Sequence, residues 1–253
     1  MNVVEYAVSN GVAWLTINRP EARNSLNKAV RDGLFDGVRT FNNDDSAKVL
    51  VLTGSGDKAF CAGGDLKEMS NERLAVPPVD FVPQFGRNIR VDKPTIAAVN
   101  GAAFAGGFLL AQTCDLCVAA TTATFAITEA RVGRGAPWAA PLPLMVPRRI
   151  AMELLLTAAP MTAQRAYEVG FVNRLAEPAD LISTAQQLAE QIAANAPLSV
   201  LAGKQTAGLT ADQPLHQAFD AAEELWAPVY RSADAQEGMA AFTERRQPIW
   251  KGQ

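Results

Sequence analysis

Two glycine-bearing turns are the first places in this sequence where chemistry is indicated. One is Ala105-Gly106-Gly107, which follows the apolar run Thr95–Val99, and the other is Cys61-Ala62-Gly63-Gly64-Asp65. Glycine lets a backbone approach a ligand closely, and the free N–H groups at a helix N-terminus favour negative charge. Converging N–H groups of Ala62 and Gly106 would form an oxyanion hole. Close packing of a strand on a helix is the alternative explanation of such turns.

Other kinds of site find little support in the sequence. Neither turn matches the GxxxxGK[ST] or GxGxxG pattern, so a nucleotide-phosphate cradle is disfavoured. Cys114 and Cys117 have CxxC spacing, but no second pair exists and the only histidine is His216. Cys117 lies in the apolar run Leu116–Ala120, so buried core thiols are predicted rather than redox or metal ligands. A single histidine also argues against a zinc site or a Ser-His-Asp triad.

Composition indicates an ordinary globular protein. The chain has 253 residues, of which 49% are hydrophobic and 19% charged, so it can bury a substantial core. A net charge of −3, a pI near 5.3 and the lack of a Lys/Arg run argue against nucleic acid as the main partner. Neither a signal peptide nor an apolar run of about 18 residues is present, so we expect a cytoplasmic protein without a membrane partner.

Short strands alternate with helices and glycine turns, which is typical of the α/β class. Strands are predicted over Val3–Val8, Val12–Asn18, Lys48–Thr53, Thr95–Val99, Leu116–Ala120 and Thr124–Ile127. Helices are predicted over Asn27–Asn42, Asp65–Met69, Ala140–Ile150, Ala151–Thr157, Thr162–Val169 (with Thr162 as its N-cap) and Pro178–Ala194, and also from Ala105 onward and from Pro197 onward. The nearly all-helical last quarter predicts a boundary between residues 1–196 and 197–253. The irregular segment Asn71–Phe85 is either a mobile loop over a site or a surface excursion.

These elements carry motifs that make the chain resemble the enoyl-CoA hydratase/isomerase (crotonase) family over nearly its full length. The matching segments are Ile17–Asn27, Phe60–Leu66, Lys93–Asp115, Phe125–Ala130, Leu154–Thr157, Ala166–Asn173 and Glu237–Phe242. So many segments in the right order are specific for the family and much less specific for the reaction. The resemblance implies a spiral of ββα units, a C-terminal helical segment that helps build a homotrimer or a dimer of trimers, and an acyl-CoA thioester substrate.

The resemblance also assigns roles to particular residues. By motif position, the Ala62 and Gly106 amides would hold the thioester oxygen. The Ala22-Arg23 loop and the turn at Gly63, Gly64, Asp65 and Leu66 would lie along the coenzyme A, with Arg23 either facing a phosphate or solvated. No metal or redox cofactor is implied, because coenzyme A arrives as part of the substrate. Asp65 has a simpler explanation as the cap of its helix.

The sequence departs from the family pattern at the catalytic positions. Family hydratases use two glutamates, but the position three residues after Gly106 is Leu109, and only Glu129 is retained. Leucine cannot transfer a proton, and general acid–base groups contribute about 10²–10⁴-fold. Glu129 is therefore predicted to be the single acid/base, as in the Δ3,Δ2-enoyl-CoA isomerases. The alternative is a surface glutamate paired with Arg131 or Arg134.

A second departure replaces a small-residue run by Pro137-Trp138-Ala139. Trp138 either narrows the acyl pocket or is a core tryptophan. The sequence thus predicts an acyl-CoA enzyme that stabilises a thioester enolate, with an isomerase-type proton shuttle or enoyl-CoA hydration as its reaction. The alternatives are another reaction on the same oxyanion hole, namely thioester hydrolysis or decarboxylation, and a non-catalytic acyl-CoA-binding protein.

Overall fold

The computed structural model describes residues 2–253, and ten strands lie in this part of the chain. They are β1 (Val4–Ser9), β2 (Val12–Ile17), β3 (Val49–Gly54), β4 (Ala59–Cys61), β5 (Thr95–Val99), β6 (Ala102–Phe104), β7 (Leu116–Ala120), β8 (Thr124–Ala126), β9 (Met161–Thr162) and β10 (Arg174–Ala176). All six predicted strands are present, with ends that shift by a residue or so.

Residues 2–253 also contain ten α-helices and four short 3₁₀ turns. The helices are α1 (Lys28–Asn42), α2 (Leu66–Asn71), α3 (Gly106–Thr113), α4 (Leu142–Met145), α5 (Arg148–Thr157), α6 (Ala163–Glu168), α7 (Leu181–Ala193), α8 (Pro197–Asp212), α9 (Leu215–Arg231) and α10 (Ala233–Glu244). The 3₁₀ turns are Pro20–Ala22, Thr128–Val132, Pro137–Ala139 and Pro178–Asp180.

The strands form two sheets that the chain visits in alternation. The six-stranded sheet has the order β1-β2-β3-β5-β7-β10, and the four-stranded sheet has the order β4-β6-β8-β9. Apart from the β1–β2 hairpin and the β8–β9 pair, neighbouring strands are parallel. The chain runs from β3 to β4 and into α2, and then from β5 to β6 and into α3. The expected α/β fold, a spiral of ββα units, is confirmed.

The core lies on the six-stranded sheet, whose central strands are covered on both faces. Every residue of β3 and of β5 is buried, as the continuous apolar runs of parallel strands require. Helix α7 packs on β2, β3, β5 and β7. It buries Leu181, Ala185 and Ala189, which recur every four residues and so form one face of the helix.

Two local predictions needed correction. The predicted helix Ala140–Ile150 is interrupted, because proline lacks the N–H that a continuing helix would use. Helix α4 ends at Met145, Pro147 is the N-cap residue of α5, and α5 begins at Arg148. The three-residue strand β6 was not predicted, since the turn after β5 was expected to lead directly into a helix. The predicted N-cap at Thr162 is confirmed, because its hydroxyl accepts from the Arg165 amide at 3.2 Å.

A few polar contacts connect the C-terminal segment, which contains the last three helices, to the rest of the chain. The Lys204 ammonium lies 2.8 Å from Asp115 and donates to the Lys93 carbonyl at 2.9 Å. The Trp250 indole donates to the Ala194 carbonyl at 2.7 Å. Helix α8 begins at Pro197, and a domain boundary after residue 196 stays a prediction. No helix within residues 2–253 combines the length and the apolar character needed to cross a membrane.

A strained residue precedes α3 and yields a stability prediction. Ala105 has φ 50° and ψ −117°, a conformation that glycine adopts readily and other residues rarely do. Such strain costs about 1–3 kcal/mol. We expect Ala105→Gly to raise the free energy of unfolding by about 1 kcal/mol, after subtracting the extra entropy of glycine in the unfolded chain. Urea denaturation measures the change.

Ala103→Gly is the matched control for this prediction. Ala103 is buried in β6, two residues before the half-buried Ala105, and is not among the residues with positive φ. The same substitution there removes a packed methyl group and relieves no strain, so it should lower the stability. A loss of stability in both variants would contradict the prediction for Ala105.

Candidate active site

Three adjacent parallel strands end at one edge of the four-stranded sheet. Strand β4 leads to Gly64, β6 leads to Gly106, and β8 leads to Glu129. The strands pair in the order β4-β6-β8, and the Ala105 amide donates to the Ala126 carbonyl at 2.9 Å. The carboxyl ends of parallel strands meet at one edge of a sheet, which is where α/β proteins place ligands. The structure therefore gathers groups that lie 65 residues apart in sequence.

The two glycine turns are in direct contact, as predicted. A Cβ on Gly63 would lie 2.8 Å from the Ala105 Cβ, and a Cβ on Gly106 would lie 3.9 Å from the Gly64 nitrogen. A Cβ on Gly107 would collide with the Cys61 carbonyl. Gly63 also has φ 95°, which favours glycine. Small residues are required here by the close approach of one turn to the other.

The predicted role of the Ala62 amide is wrong. Its N–H donates to the Arg23 carbonyl oxygen at 3.0 Å, so it is not available to a ligand. The neighbouring Gly64 amide has no acceptor among the described residues, and the same is true of Gly106 at the first position of α3. Gly64 rather than Ala62 is thus the partner of Gly106 as an unengaged N–H donor.

The loop that occupies the Ala62 amide is held by a buried asparagine. Asn24 is fully buried and donates to the carbonyls of Ser55 and Ala59 at 3.0 and 2.8 Å. Its carbonyl oxygen accepts from the Arg19 amide at 3.0 Å, and its own φ is 54°. Asparagine tolerates this left-handed conformation. The sequence did not single out Asn24, although its short polar side chain in a loop was the available signal.

The predicted coenzyme A residues have different surroundings. Ala22 is half-buried, and Arg23 and Leu66 are exposed. Asp65 caps α2 and lies 2.7 Å from the Arg19 guanidinium, whose hydrogen bond lowers the pKa of Asp65. Asp65 is thus engaged within the fold. A cleft of about 250 Å³ lies beside Arg23; its lining is Pro20, Glu21, Arg23, Asn24, Ser55, Asp57, Lys58 and Ala59.

Glu129 is buried and is not part of a surface ion pair. Its side chain lies in the 3₁₀ turn after β8, and the residue is 9% exposed. The Oε1 atom accepts from the Trp138 indole at 3.0 Å, and Oε2 is buried without a partner among the described residues. Neither Arg131 nor Arg134 lies within ion-pair distance in residues 2–253. The alternative of a surface glutamate is therefore excluded.

The surroundings of Glu129 alter its acidity. Burial raises the pKa of this carboxyl, whereas hydrogen bonds from its own backbone amide and from Trp138 act in the opposite direction. A carboxyl that binds its proton more tightly than usual is a stronger base in its ionised form, which suits a group that accepts a proton and later returns it. The charge state of Glu129 is thus set by the environment that strands and loops build around it.

The two residues at which the sequence departs from the family pattern, Leu109 and Trp138, are both buried. Leu109 is buried in α3, one turn after Gly106. Trp138 is 8% exposed, and its ring centroid lies 6.0 Å from that of Phe108. The Trp138 carbonyl accepts from the Gln112 amide at 2.8 Å. Trp138 is therefore packed as a core tryptophan that also contacts Glu129, while its effect on an acyl pocket stays a prediction.

The segment after α2 is tied to the surrounding elements. The Arg31 guanidinium lies 4.1 Å from the centre of the Phe81 ring, and the Phe85 amide donates to the Thr113 hydroxyl. The Leu74 carbonyl accepts from the Arg134 guanidinium at 2.8 Å. These contacts join residues 72–85 to α1, α3 and the loop after Glu129.

The cysteines are buried, as predicted. Cys61, Cys114 and Cys117 are free thiols within the core, and burial raises the pKa of each, to about 12 for Cys61. Such thiols are poor nucleophiles and poor metal ligands. Within residues 2–253, no group of three or more His, Cys, Asp or Glu side chains is arranged to hold a metal ion.

The burial of Glu129 predicts a pH-dependent effect of Glu129→Gln on stability. The folded-state pKa is raised, so the folded protein binds this proton more tightly than the unfolded chain does. Ionisation therefore costs stability as pH rises above the unfolded value of about 4.3. Glutamine is never ionised and can still accept from Trp138. We expect the variant to have a higher Tm than the wild type at pH 7, with the difference shrinking towards pH 4.3 in thermal unfolding.

The same substitution at an exposed glutamate is the control, because it separates the effect of burial from the loss of a negative charge. Glu153 lies on the surface of α5, and Glu153→Gln makes the same chemical change without removing a buried charge. Its Tm should follow that of the wild type at both pH values. A Glu129→Gln protein that is less stable than the wild type at pH 7 would contradict the prediction.

Solved structures share the fold. An enoyl-CoA hydratase from Mycobacterium tuberculosis H37Rv matches with a TM-score of 0.92 and 40% sequence identity, over all of both chains. An enoyl-CoA hydratase/isomerase from Mycobacterium paratuberculosis matches with a TM-score of 0.91 and 33% identity, over 99% of each chain. The expected crotonase-like architecture is thus confirmed by experimental structures.

Sequence comparisons give the family. The chain is 39% identical over 253 residues to (E)-benzylidenesuccinyl-CoA hydratase from Thauera aromatica, with 98% of this chain and 99% of that one covered. It is 35% identical over 248 residues to a carnitinyl-CoA dehydratase from Salmonella paratyphi A, with 94% of each covered. The profile of the enoyl-CoA hydratase/isomerase family matches residues 7–253. The chain is therefore an enzyme of the enoyl-CoA hydratase/isomerase family.

Proposed function

We propose that Gly64 and Gly106 form an oxyanion hole for the thioester oxygen of an acyl-CoA substrate. The observation that carries the proposal is the pair of adjacent amides at the ends of β4 and β6, which have no acceptor among residues 2–253. A thioester oxygen becomes an oxyanion when its acyl group loses a proton or gains a nucleophile. One preorganised N–H donor contributes about 3 kcal/mol to stabilising such a charge. The pair needs no metal or redox cofactor, and coenzyme A belongs to the substrate.

We propose Glu129 as the group that moves the proton. Trp138 donates to Oε1, and Oε2 is the oxygen without a partner in the part of the chain that the structure describes. In isomerisation of a 3-enoyl thioester, Oε2 takes a proton from C2, and the oxyanion hole holds the resulting dienolate. Oε2 then delivers the proton to C4, which leaves the double bond at C2=C3 and restores the thioester carbonyl. One carboxylate is sufficient for this sequence, and Leu109 offers no second one.

Hydration of a 2-enoyl thioester is the second candidate reaction. The relatives named as hydratase and dehydratase favour it. Water would have to add with Glu129 as the only carboxylate, since Leu109 cannot orient it. Thioester hydrolysis, decarboxylation and binding without turnover are the remaining alternatives, and an assay of turnover distinguishes them all.

The assay supplies crotonyl-CoA, a 2-enoyl thioester, and 3-hexenoyl-CoA, a 3-enoyl thioester, and follows both by absorbance and mass. We expect isomerisation of the second, and a loss of about 10²–10⁴-fold in kcat for Glu129→Gln, because the acid/base is removed. Binding of the thioester should be retained, because the main-chain donors remain. Glu153→Gln is the control for the loss of a negative charge.

The outcomes separate the candidate reactions. Addition of water to crotonyl-CoA without isomerisation of 3-hexenoyl-CoA would favour hydration. A gain of hydration in Leu109→Glu would show that the second carboxylate was the missing part. Unimpaired turnover in Glu129→Gln would contradict the assigned role of Glu129, and binding without any turnover would favour the non-catalytic alternative.

We infer that the acyl group carries a second carboxylate, which Arg134 binds. The Arg134 amide donates to the Glu129 carbonyl at 2.9 Å, so the two residues belong to one loop. The Nη1 atom donates to Leu74, whereas Nη2 is buried without a partner in residues 2–253. A buried N–H donor is normally hydrogen-bonded, and a guanidinium matches a carboxylate. The relative named for benzylidenesuccinyl-CoA supports this substrate class, since a succinyl group contains a second carboxyl.

Arg134→Leu tests the substrate class. Glutaconyl-CoA ends in a carboxylate, whereas crotonyl-CoA does not. We expect the variant to raise KM for glutaconyl-CoA at least about tenfold, the value of one charge-assisted hydrogen bond, and to leave KM for crotonyl-CoA nearly unchanged. Arg131→Leu, at an exposed position of the same loop, is the control. Equal effects on both thioesters would contradict the inference.

We also propose a homotrimer or a dimer of trimers in the cytoplasm. Large apolar side chains of residues 197–253 remain exposed in the single chain, and an assembly would cover them. They are Leu215, Phe219, Tyr230, Met239, Phe242 and Ile249. The predicted role of this segment in oligomerisation rests on that surface. Arg23 and Lys58 beside the 250 Å³ cleft support a place there for the coenzyme A phosphates.

A further inference from the structure

Trp138 makes the one side-chain hydrogen bond to Glu129 in residues 2–253. The indole Nε1 donates to Oε1 at 3.0 Å, and both residues are buried. An indole can only donate, and it carries a single N–H. It therefore binds one carboxylate oxygen and leaves the other without a protein partner, which is what the structure shows for Oε2.

Helix α3 fixes the tryptophan in turn. The Gln112 side-chain amide donates to the Trp138 carbonyl at 2.8 Å, and the Phe108 ring packs on the indole with 6.0 Å between centroids. Both residues belong to the helix that begins at Gly106. Two hydrogen bonds therefore connect the carboxylate of Glu129 to the helix that presents the Gly106 amide. The distance between the proton-transferring oxygen and the oxyanion donor depends on this connection.

The indole of Trp138 is the main polar contact of Glu129, because the charged side chains on the neighbouring elements do not pair with it. Helix α3 contributes no titratable side chain. Arg131 and Arg134 lie on the same loop, and Arg148, Arg149 and Glu153 are on α5, which packs against it. Among the described residues, none of these side chains forms an ion pair with Glu129. A neutral donor thus stabilises the carboxylate form in a site where burial opposes it.

We propose that Trp138 is a positioning residue for Glu129, holding Oε1 so that Oε2 alone faces the proton to be transferred. The inference rests on the proposed role of Glu129. It gives a chemical reason for a tryptophan at a place where the family pattern has small residues. The two departures from the family pattern then have related effects. Leu109 leaves the site with a single carboxylate, and Trp138 holds that carboxylate in one orientation.

Trp138→Phe removes the N–H and keeps an aromatic ring. We expect kcat to fall about 10- to 100-fold, the effect of losing one hydrogen bond to a charged group. KM should change little, because phenylalanine keeps an aromatic ring at this position. The acidic limb of the pH profile of kcat/KM should move to higher pH, since the carboxylate form of Glu129 loses its donor. A purely packing role would not move this limb.

Trp226→Phe is the matched control. The Trp226 indole also donates one hydrogen bond, to the Thr206 hydroxyl at 2.8 Å, but it lies in the C-terminal helices. This variant should keep the wild-type pH profile. If Trp138→Phe does not fold, benzothienylalanine incorporated at position 138 replaces the N–H by sulfur with nearly the same shape. The same shift of the acidic limb is expected.

The outcomes separate this inference from the function on which it rests. An active wild type whose kcat and pH profile are unchanged in Trp138→Phe, or in the benzothienylalanine protein, would overturn the role of Trp138 alone. A wild type that converts neither crotonyl-CoA nor 3-hexenoyl-CoA would overturn the proposed function, and the positioning role with it. A fall in kcat with a shifted acidic limb, absent in Trp226→Phe, would support the inference.

Discussion

The contact between the two glycine turns is the constraint on which the site depends. Gly63 lies against Ala105, and Gly107 lies against the Cys61 carbonyl, with no room for a side chain at either glycine. Because the turns touch, the carboxyl ends of β4 and β6 cannot separate, and their amides stay close together. Strand β8 then adds Glu129 to the same edge. The buried strands of the larger sheet support this arrangement from behind, so the geometry of the site follows from the packing of the whole core.

The sequence indicated where the proposed oxyanion donors lie but not which amide N–H is left without an acceptor. The glycine pattern located both turns correctly. Ala62 was nevertheless the wrong donor, because its N–H is bound by the Arg23 carbonyl, and Arg23 lies 39 positions earlier in the chain. Asn24 holds that loop by bonds to Ser55 and Ala59. Such long-range contacts determine which backbone N–H is left without an acceptor. The pattern of side chains in the sequence does not reveal these contacts.

The fold was easier to predict than the site. Long buried strands such as β3 and β5 are continuous apolar runs, so composition alone marks them. Strand β6 has only three residues, which is too few to show a periodicity. The proline that separates α4 from α5 lies within an apolar stretch that resembles one continuous helix. Glu129 could be singled out by its motif, but its burial and the indole on its carboxylate could not. Both require Trp138 to fold back over nine residues against α3, and that packing is decided by Phe108 and Gln112.

The proposed oxyanion donors belong to the main chain, and this has an evolutionary consequence. Every residue type except proline carries the same N–H, so no ordinary substitution can delete the donor itself. Mutations therefore change the side chains around the two amides, while the amides themselves are retained. Leu109, Glu129, Arg134 and Trp138 are the positions at which a few replacements can redirect the chemistry while the scaffold is preserved. Enzymes with different reactions can descend from one such backbone without ever passing through a form that lacks the oxyanion hole.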